Sequence, residues 1–435
     1  MWCLPAGEPS SAAWARITSL PRVKRVPLYA LYVADAISLV GNVIAQLAIP
    51  WFVLITTGSA ALTGLAVFFN FLPIVLAAFF GGVVVDRLGF RTTSVAADLA
   101  SASAVAAIPL LHSTVGIELW QLMALTFLGA LLDAPGTTAR QALFPDLVAR
   151  AEMGMERAAG VRSSIQRGSL LVGAPIGGVL VAAFGATTAL WIDAVSFLFS
   201  AALIAGIVPR VEGRVKEGER AGYFRELAEG IRYIWNRRLI RAIVLTVLVT
   251  NFLDAPFAVV MPVFAREAFG SAADLGVMYG VFGGFALAGS LAFSAFGHRL
   301  PKRRTFVCCF AVAPFAYLTL ATEPSLPVAL AALAAFGLAA GPINPLLGTL
   351  QFQLVPAELR GRVFGAITAG AWAAIPAGVL LGGVVVGAIG VGPTFLCIGL
   401  CYALVTGYGF FNPAFYEMDR PPAEEAAPGA EPETP

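Results

Sequence analysis

Apolar runs of roughly 18–30 residues, closed off by charge or by Gly, Pro and Ser, follow one another along almost the whole chain. A helix needs about 20 residues to cross the hydrocarbon core of a bilayer, where no water is available to satisfy backbone groups. Twelve runs qualify, centred near Val40, Ile74, Val105, Leu125, Val172, Phe197, Val247, Phe285, Ala313, Ala335, Ala377 and Cys401. The expected class is therefore an all-α integral membrane protein lying in a lipid bilayer. With 58% hydrophobic and 12% charged residues, the chain holds more apolar side chain than a water-soluble core can hide. A net charge of +2, and the lack of Lys/Arg clusters interleaved with aromatics, argue against a nucleic-acid partner.

The runs divide the chain into a cytoplasmic arm at 1–25, a six-helix bundle at 26–208, a linker at 209–239, a second six-helix bundle at 240–412 and a disordered cytoplasmic tail at 413–435. In the linker, Phe224, Leu227, Ile231 and Ile234 recur at helical spacing, which predicts a short amphipathic helix from Tyr223 along the membrane surface. With the N-terminus inside, the even-numbered connections and both termini hold every Lys and Arg except Arg266. The positive-inside rule then puts both termini in the cytoplasm of a multi-pass cell-membrane protein. Cys3, Cys308, Cys309, Cys397 and Cys401 show no ligand spacing with His112 or His298, so no metal or other cofactor is expected.

Shifted by 212 positions, the second half of the sequence repeats the first. Gly58 to Gly64, GSAALTG, falls on Gly270 to Gly276, GSAADLG; Asn42 falls on Asp254, Pro50 on Pro262, and Arg87-Leu88 on Arg299-Leu300. With a shift of 205, Gly177 to Gly185 falls on Gly382 to Gly390. Two pseudosymmetric six-helix bundles follow, an arrangement that binds a solute near the membrane midplane and rocks between two openings.

Gly82, Asp86, Arg87, Gly89 and Arg91 resemble the signature G-x-x-x-D-R-x-G-R-[RK] between the second and third helices of the major facilitator superfamily, with Phe90 where an Arg is usual. DAPGTTARQALFPDLV after helix four, WIDAVSFLFSA in helix six and LVPAELRGRVFG before helix eleven resemble its macrolide- and siderophore-exporting (enterobactin-type) branch of drug–proton antiporters. The resemblance covers about residues 25–412 and implies the major facilitator fold. It also implies that Asp86 accepts hydrogen bonds from the start of helix eleven, near Phe364. A helix N-terminus favours an anion, and Gly82 one turn earlier lets the backbones approach. That set, with the repeat counterparts His298 and Arg299, is expected to latch the cytoplasmic side shut when the protein opens outward, with Arg87 and Arg91 in the headgroup and cytoplasmic zone. In helix five, Gly173, Pro175, Gly177 and Gly178 resemble the G-P-x-x-G-G motif of the superfamily's antiporters with the Pro one place late, which permits close packing and bending.

Polar side chains are costly in hydrocarbon, so each one is a candidate. Asp35, Asn42 and Gln46 fall within about 20° of one direction on helix one, with Asp35 about 12 Å and Asn42 about 22 Å along its axis. Helix seven answers with Thr246, Thr250 and Asp254, with Asn251 beside them. The superfamily's helices one and seven line its central cavity, so both stripes are expected to face it. Asp35 has Val247 as its repeat partner, which singles it out as proton carrier, since a carboxylate in a low-dielectric cavity readily takes a proton. Asp98, Asp133 and Asp193 lie nearer helix ends and are expected to be structural, and helix four lacks the mid-membrane Arg used by many proton-coupled exporters.

The expected function is secondary active export of bulky amphipathic organic compounds by a monomer, with protons moving the other way. A dedicated carrier of a siderophore, natural product or lipid is an alternative, as is, from another class, a transport-dead receptor or membrane enzyme. No H-E-x-x-H, G-x-S-x-G or G-x-x-x-x-G-K-[ST] motif supports catalysis or ATP binding.

Overall fold

The computed structural model describes residues 25–209, 223–356 and 359–419, without the side chains of 77–87, 223–227, 298 and 361. The first half comprises α1 (Val26–Thr57), α2 (Ala60–Leu88), α3 (Phe90–Thr114), α4 (Leu119–Arg150), α5 (Met155–Phe184) and α6 (Ala186–Ile207). A linker helix α7 (Tyr223–Asn236) follows, as its apolar spacing predicts. The second half comprises α8 (Arg238–Asp254), α9 (Phe257–Ala268), α10 (Ala272–Phe296), α11 (Lys302–Ala321), α12 (Leu326–Ala340), α13 (Ile343–Leu354), α14 (Arg360–Ile389) and α15 (Val391–Phe411). Taking α8–α9 and α12–α13 as single passages that break at Pro256 and at Gly341-Pro342, the described residues hold eleven helical passages long and apolar enough to cross a membrane, and α2, with its shorter apolar stretch Ala60–Leu76, makes a twelfth, six in each half. Both described ends of the chain therefore lie at one end of the molecule.

Connections at the far end are short because glycine makes them so. Gly185 and Gly390, repeat partners, hold φ of 82° and 83° and join α5 to α6 and α14 to α15 with one residue each. The repeat is imperfect where it matters. Pro256 has Ile44 as its counterpart, so the seventh passage breaks while α1 runs on.

One apolar cluster joins the halves, through Phe52, Ala60 and Val67 of the first and Val260, Phe264 and Leu275 of the second. Near the termini each half has a core of its own: Leu31, Leu143, Leu147 and Ile204 in one, Ile240, Val355 and Val363 in the other. The linker helix is pinned to the second half. Tyr233 donates to the Leu354 carbonyl at 3.0 Å, Arg362 pairs with Glu229 at 2.7 Å, and Gly230 packs on the Arg362 carbonyl, where no Cβ fits.

Two expectations need correction. Residues 413–419 are not a disordered tail but a 3-10 turn, whose Phe415 is fully buried and stacked on Phe306 at 5.5 Å. Arg303 sits 3.6 Å over the Tyr416 ring and donates its backbone N–H to Asp419 at 3.2 Å. The second correction concerns α4. The segment expected to follow helix four lies inside it, because the helix runs through Pro135 and Pro145 to Arg150.

Candidate functional site

The extension of α4 carries Asp133 and Arg140, seven residues apart and so on one face, into the interior of the first half. Arg140 is 4% exposed. Its Nη1 donates to both Asp98 oxygens at 2.9 and 3.1 Å, its Nε lies 3.2 Å from Asp35 Oδ1, and its Nη2 lies 3.6 Å from Asp133 Oδ1. Ser200 of α6 donates to Asp98 Oδ2 at 2.7 Å, and Arg162 of α5 lies 3.6 Å from Asp35 Oδ2. A planar guanidinium reaches three carboxylates at once, which an ammonium does not. Helix four therefore does carry a buried Arg, contrary to expectation, and Asp133 lies near the middle of α4 rather than at its end.

Three carboxylates face two guanidiniums here, leaving one negative charge. Asp98 is fully buried and Asp35 is 6% exposed, whereas Asp133 lines a cavity of about 470 Å³. Its Oδ1 accepts no hydrogen bond among the described residues, and neither does the hydroxyl of Thr126 on the same cavity wall. Asp193, also on that wall, accepts from Ser196 at 3.4 Å, and Gly41 of α1 packs on both, where a side chain would collide.

A second cavity, of about 340 Å³, lies between the halves, lined by Gln46, Asn70 and Phe71 on one side and Asn251, Asp254, Phe257, Tyr279 and Trp372 on the other. Gln46, Asn70 and Trp372 line both cavities. Asp254 ends α8 at the helix break; its oxygens accept from Tyr317 at 2.9 Å and Tyr402 at 2.5 Å.

Of the two polar stripes, Asn42, Gln46, Asn251 and Asp254 line a cavity, and Asn251 also donates to the Ala371 carbonyl at 3.2 Å. Asp35 and Thr250 line neither. Asp35 turns into the first half toward Arg140, and Thr250, 3% exposed, donates to the Val247 carbonyl at 3.1 Å. Gly82, Asp86, Arg87 and His298 of the expected latch have side chains outside the described residues. Gly89 turns the chain into α3 with φ 78°, and Arg299 closes an exposed 3-10 turn. Arg91 is not left to the headgroups, since it donates to the carbonyls of Ile204 and Ala205 on α6.

The helix-five motif makes two different contacts. Gly173 and Gly177 pack on Val43 and Ile44 of α1, while Gly178 meets Gly276 of α10 from the other half. Pro175 packs on Gly280. The pseudosymmetric crossing is Gly64 of α2 on Gly383 of α14. Beside it, Arg266 donates to the Leu54 carbonyl at 2.5 Å, across the halves and from one repeat position to its own counterpart.

Twelve passages in two repeated halves, closed on each other at the far end around a central cavity, define a major facilitator transporter. The chain belongs to the family described as transmembrane secretion effector, whose model matches residues 19–431. It is 31% identical over 403 residues to the multidrug efflux pump Tap of Mycobacterium tuberculosis, covering 92% of this chain and 96% of that protein. It is 24% identical over 392 residues to macrolide efflux protein A of Streptococcus pyogenes, covering 88% of this chain and 95% of that protein. Among solved structures, the nucleoside transporter NupG shares the fold, with a TM-score of 0.70 at 10% identity, over 90% of this chain and 98% of that one.

Proposed function

We propose that this chain is a secondary exporter of bulky amphipathic organic compounds, acting by alternating access with proton antiport, without catalysis, as a monomer with both termini cytoplasmic. Export of drug-like compounds is what its relatives Tap and macrolide efflux protein A are named for. The observation that carries proton coupling is the charge imbalance at Arg140: one proton on Asp133 leaves two carboxylates for two guanidiniums, in a place where uncompensated charge is costly. Asp133 is the member open to the cavity, and Asp35 is the member paired with both Arg140 and Arg162. Protonation would loosen the hold of Asp133 on Arg140 and so alter how α4 sits against α1 and α3. Opening the far end would then part Gly178 from Gly276, Gly64 from Gly383 and Arg266 from Leu54.

The test is substrate-induced proton movement in proteoliposomes across roughly pH 6 to 8, a range around neutrality in which a buried carboxylate can titrate. Asp133→Asn and Asp35→Asn each keep shape and remove a titration. Downhill exchange should survive in both while uphill, proton-driven efflux fails. Wild-type proton-to-substrate ratios in both variants would refute coupling through this cluster.

A further inference from the structure

The two halves of the central cavity differ in charge. At the position where the first half places Asn42, the second half places Asp254, which among the described residues is the one charged residue lining the cavity between the halves. In the first half, Asp35, Asp98 and Asp133 each lie within 3.6 Å of a guanidinium. Asp254 forms no ion pair among the described residues; it has the hydroxyls of Tyr317 and Tyr402. Tyr402 has Phe197 as its repeat counterpart at the 205 shift, so this hydroxyl is particular to the second half. Two neutral donors orient the carboxylate and satisfy part of its hydrogen-bonding capacity while leaving its charge uncompensated.

The break at Pro256 makes Asp254 the last residue of α8 and leaves its side chain on the cavity wall. Around the carboxylate stand aromatic rings: Phe257 lies 5.7 Å from Tyr279 and 6.5 Å from Tyr317, and Trp372 closes the cavity from α14. Ring faces attract cations, most strongly where water is excluded. Among the described residues, no Lys or Arg lines the cavity to oppose this.

We propose that this wall, Asp254 with Phe257, Tyr279 and Trp372, is a cation subsite, and that the preferred substrates are lipophilic organic monocations such as protonated tertiary amines with aromatic or alkyl bulk. The inference rests on the reading of the chain as an exporter and narrows its substrate class. The cationic group lies against the second half, and the apolar body extends toward Val67 and Phe71 of α2.

The purified full-length chain, in detergent, tests this with two ions of the same shape and opposite charge, tetraphenylphosphonium and tetraphenylborate, each displacing the neutral fluorescent probe N-phenyl-1-naphthylamine at measured free concentrations. The wild type should prefer the cation by about tenfold or more, the scale of a carboxylate and ring faces acting in a cavity. Asp254→Asn should bring the two ions to within about twofold of each other, since the charge that discriminates them is gone. A wild type with no preference, or a variant that keeps it, overturns the subsite. The wild-type comparison stands even if the variant does not fold. Export of the neutral probe from vesicles bearing the wild type separates the two readings: if it is exported with no cation preference, only the subsite falls; if it is not exported and neither ion binds, both fall.

Discussion

Gly178 of α5 and Gly276 of α10 cross so closely that a Cβ on either would lie 2.7 Å from the other's Cα. The pseudosymmetric pair, Gly64 and Gly383, crosses at the same 2.7 Å measured from Gly383. Each repeat thus supplies one glycine from its second helix and one from its fifth, and the halves close on each other twice. No side chain fits at either crossing without moving a backbone.

Gly276→Val should open the far end. Overpacking of this kind costs about 1–3 kcal/mol, and because the crossing exists only while the far end is closed, the cost falls on that state alone. A cysteine at Asn70, which lines the central cavity, placed in a background with the five natural cysteines replaced, reads the change. An impermeant maleimide added on the far side should label it faster in the valine variant; an unchanged rate would show that the crossing does not hold that end shut.

Arg266→Ala should act in the same direction by a different cause. The guanidinium is held on the Leu54 carbonyl of the opposite half, and a hydrogen bond from a charged donor contributes roughly 1.5–3 kcal/mol. The same labelling assay applies. Faster labelling in Arg266→Ala, with Arg266→Lys between it and the wild type, supports a bond specific to the closed form.

Arg140→Leu should destabilise the first half. Removing one partner from a buried charge group costs about 3–5 kcal/mol, since Asp98 and Asp35 would be left with much less compensation. Thermal unfolding in detergent should show a marked fall in Tm, partly recovered in Arg140→Leu with Asp98→Asn. A Tm equal to that of the wild type would mean that the carboxylates carry no charge in the folded protein.

Phe415→Ala tests the turn after α15. The ring is fully buried on Phe306, and truncating such a residue costs about 3–5 kcal/mol. Deleting the chain from Pro413 onward should lower Tm at least as much. If both variants melt like the wild type, the turn is not part of the folded second half.

The twelve passages, the repeat and the amphipathic linker were all legible in the order of residues, because lipid demands long apolar helices and duplication preserves spacing. Asp254, Asn42 and Gln46 were legible as candidates for the same reason, since a polar side chain in an apolar run stands out. Even the crossings were half visible, as Gly64 aligns with Gly276 and Gly178 with Gly383; which glycine meets which was not. Arg140 was missed although its spacing of seven from Asp133 was a signal, because two prolines and a polar stretch read as the end of a helix and the structure carries α4 straight through them. Packing on α3, where Gly136 meets Ala97, and the bonds of Arg140 to Asp98 and Ser200 support that continuation, and such contacts are not written in any local pattern.

Direction was decided by tertiary structure as well. Periodicity places Asp35 on one face with Asn42 and Gln46, yet α1 follows its neighbours closely enough that the upper part of that face meets the cavity and the lower part meets Arg140. The sequence by itself determined the number of passages, their pairing by repeat and the residues too polar for lipid. Which of those residues found a guanidinium and which only hydroxyls was decided by contacts between helices far apart in the chain, because a charge in a low-dielectric interior is compensated by whatever the fold brings within a few ångströms, not by its neighbours in sequence.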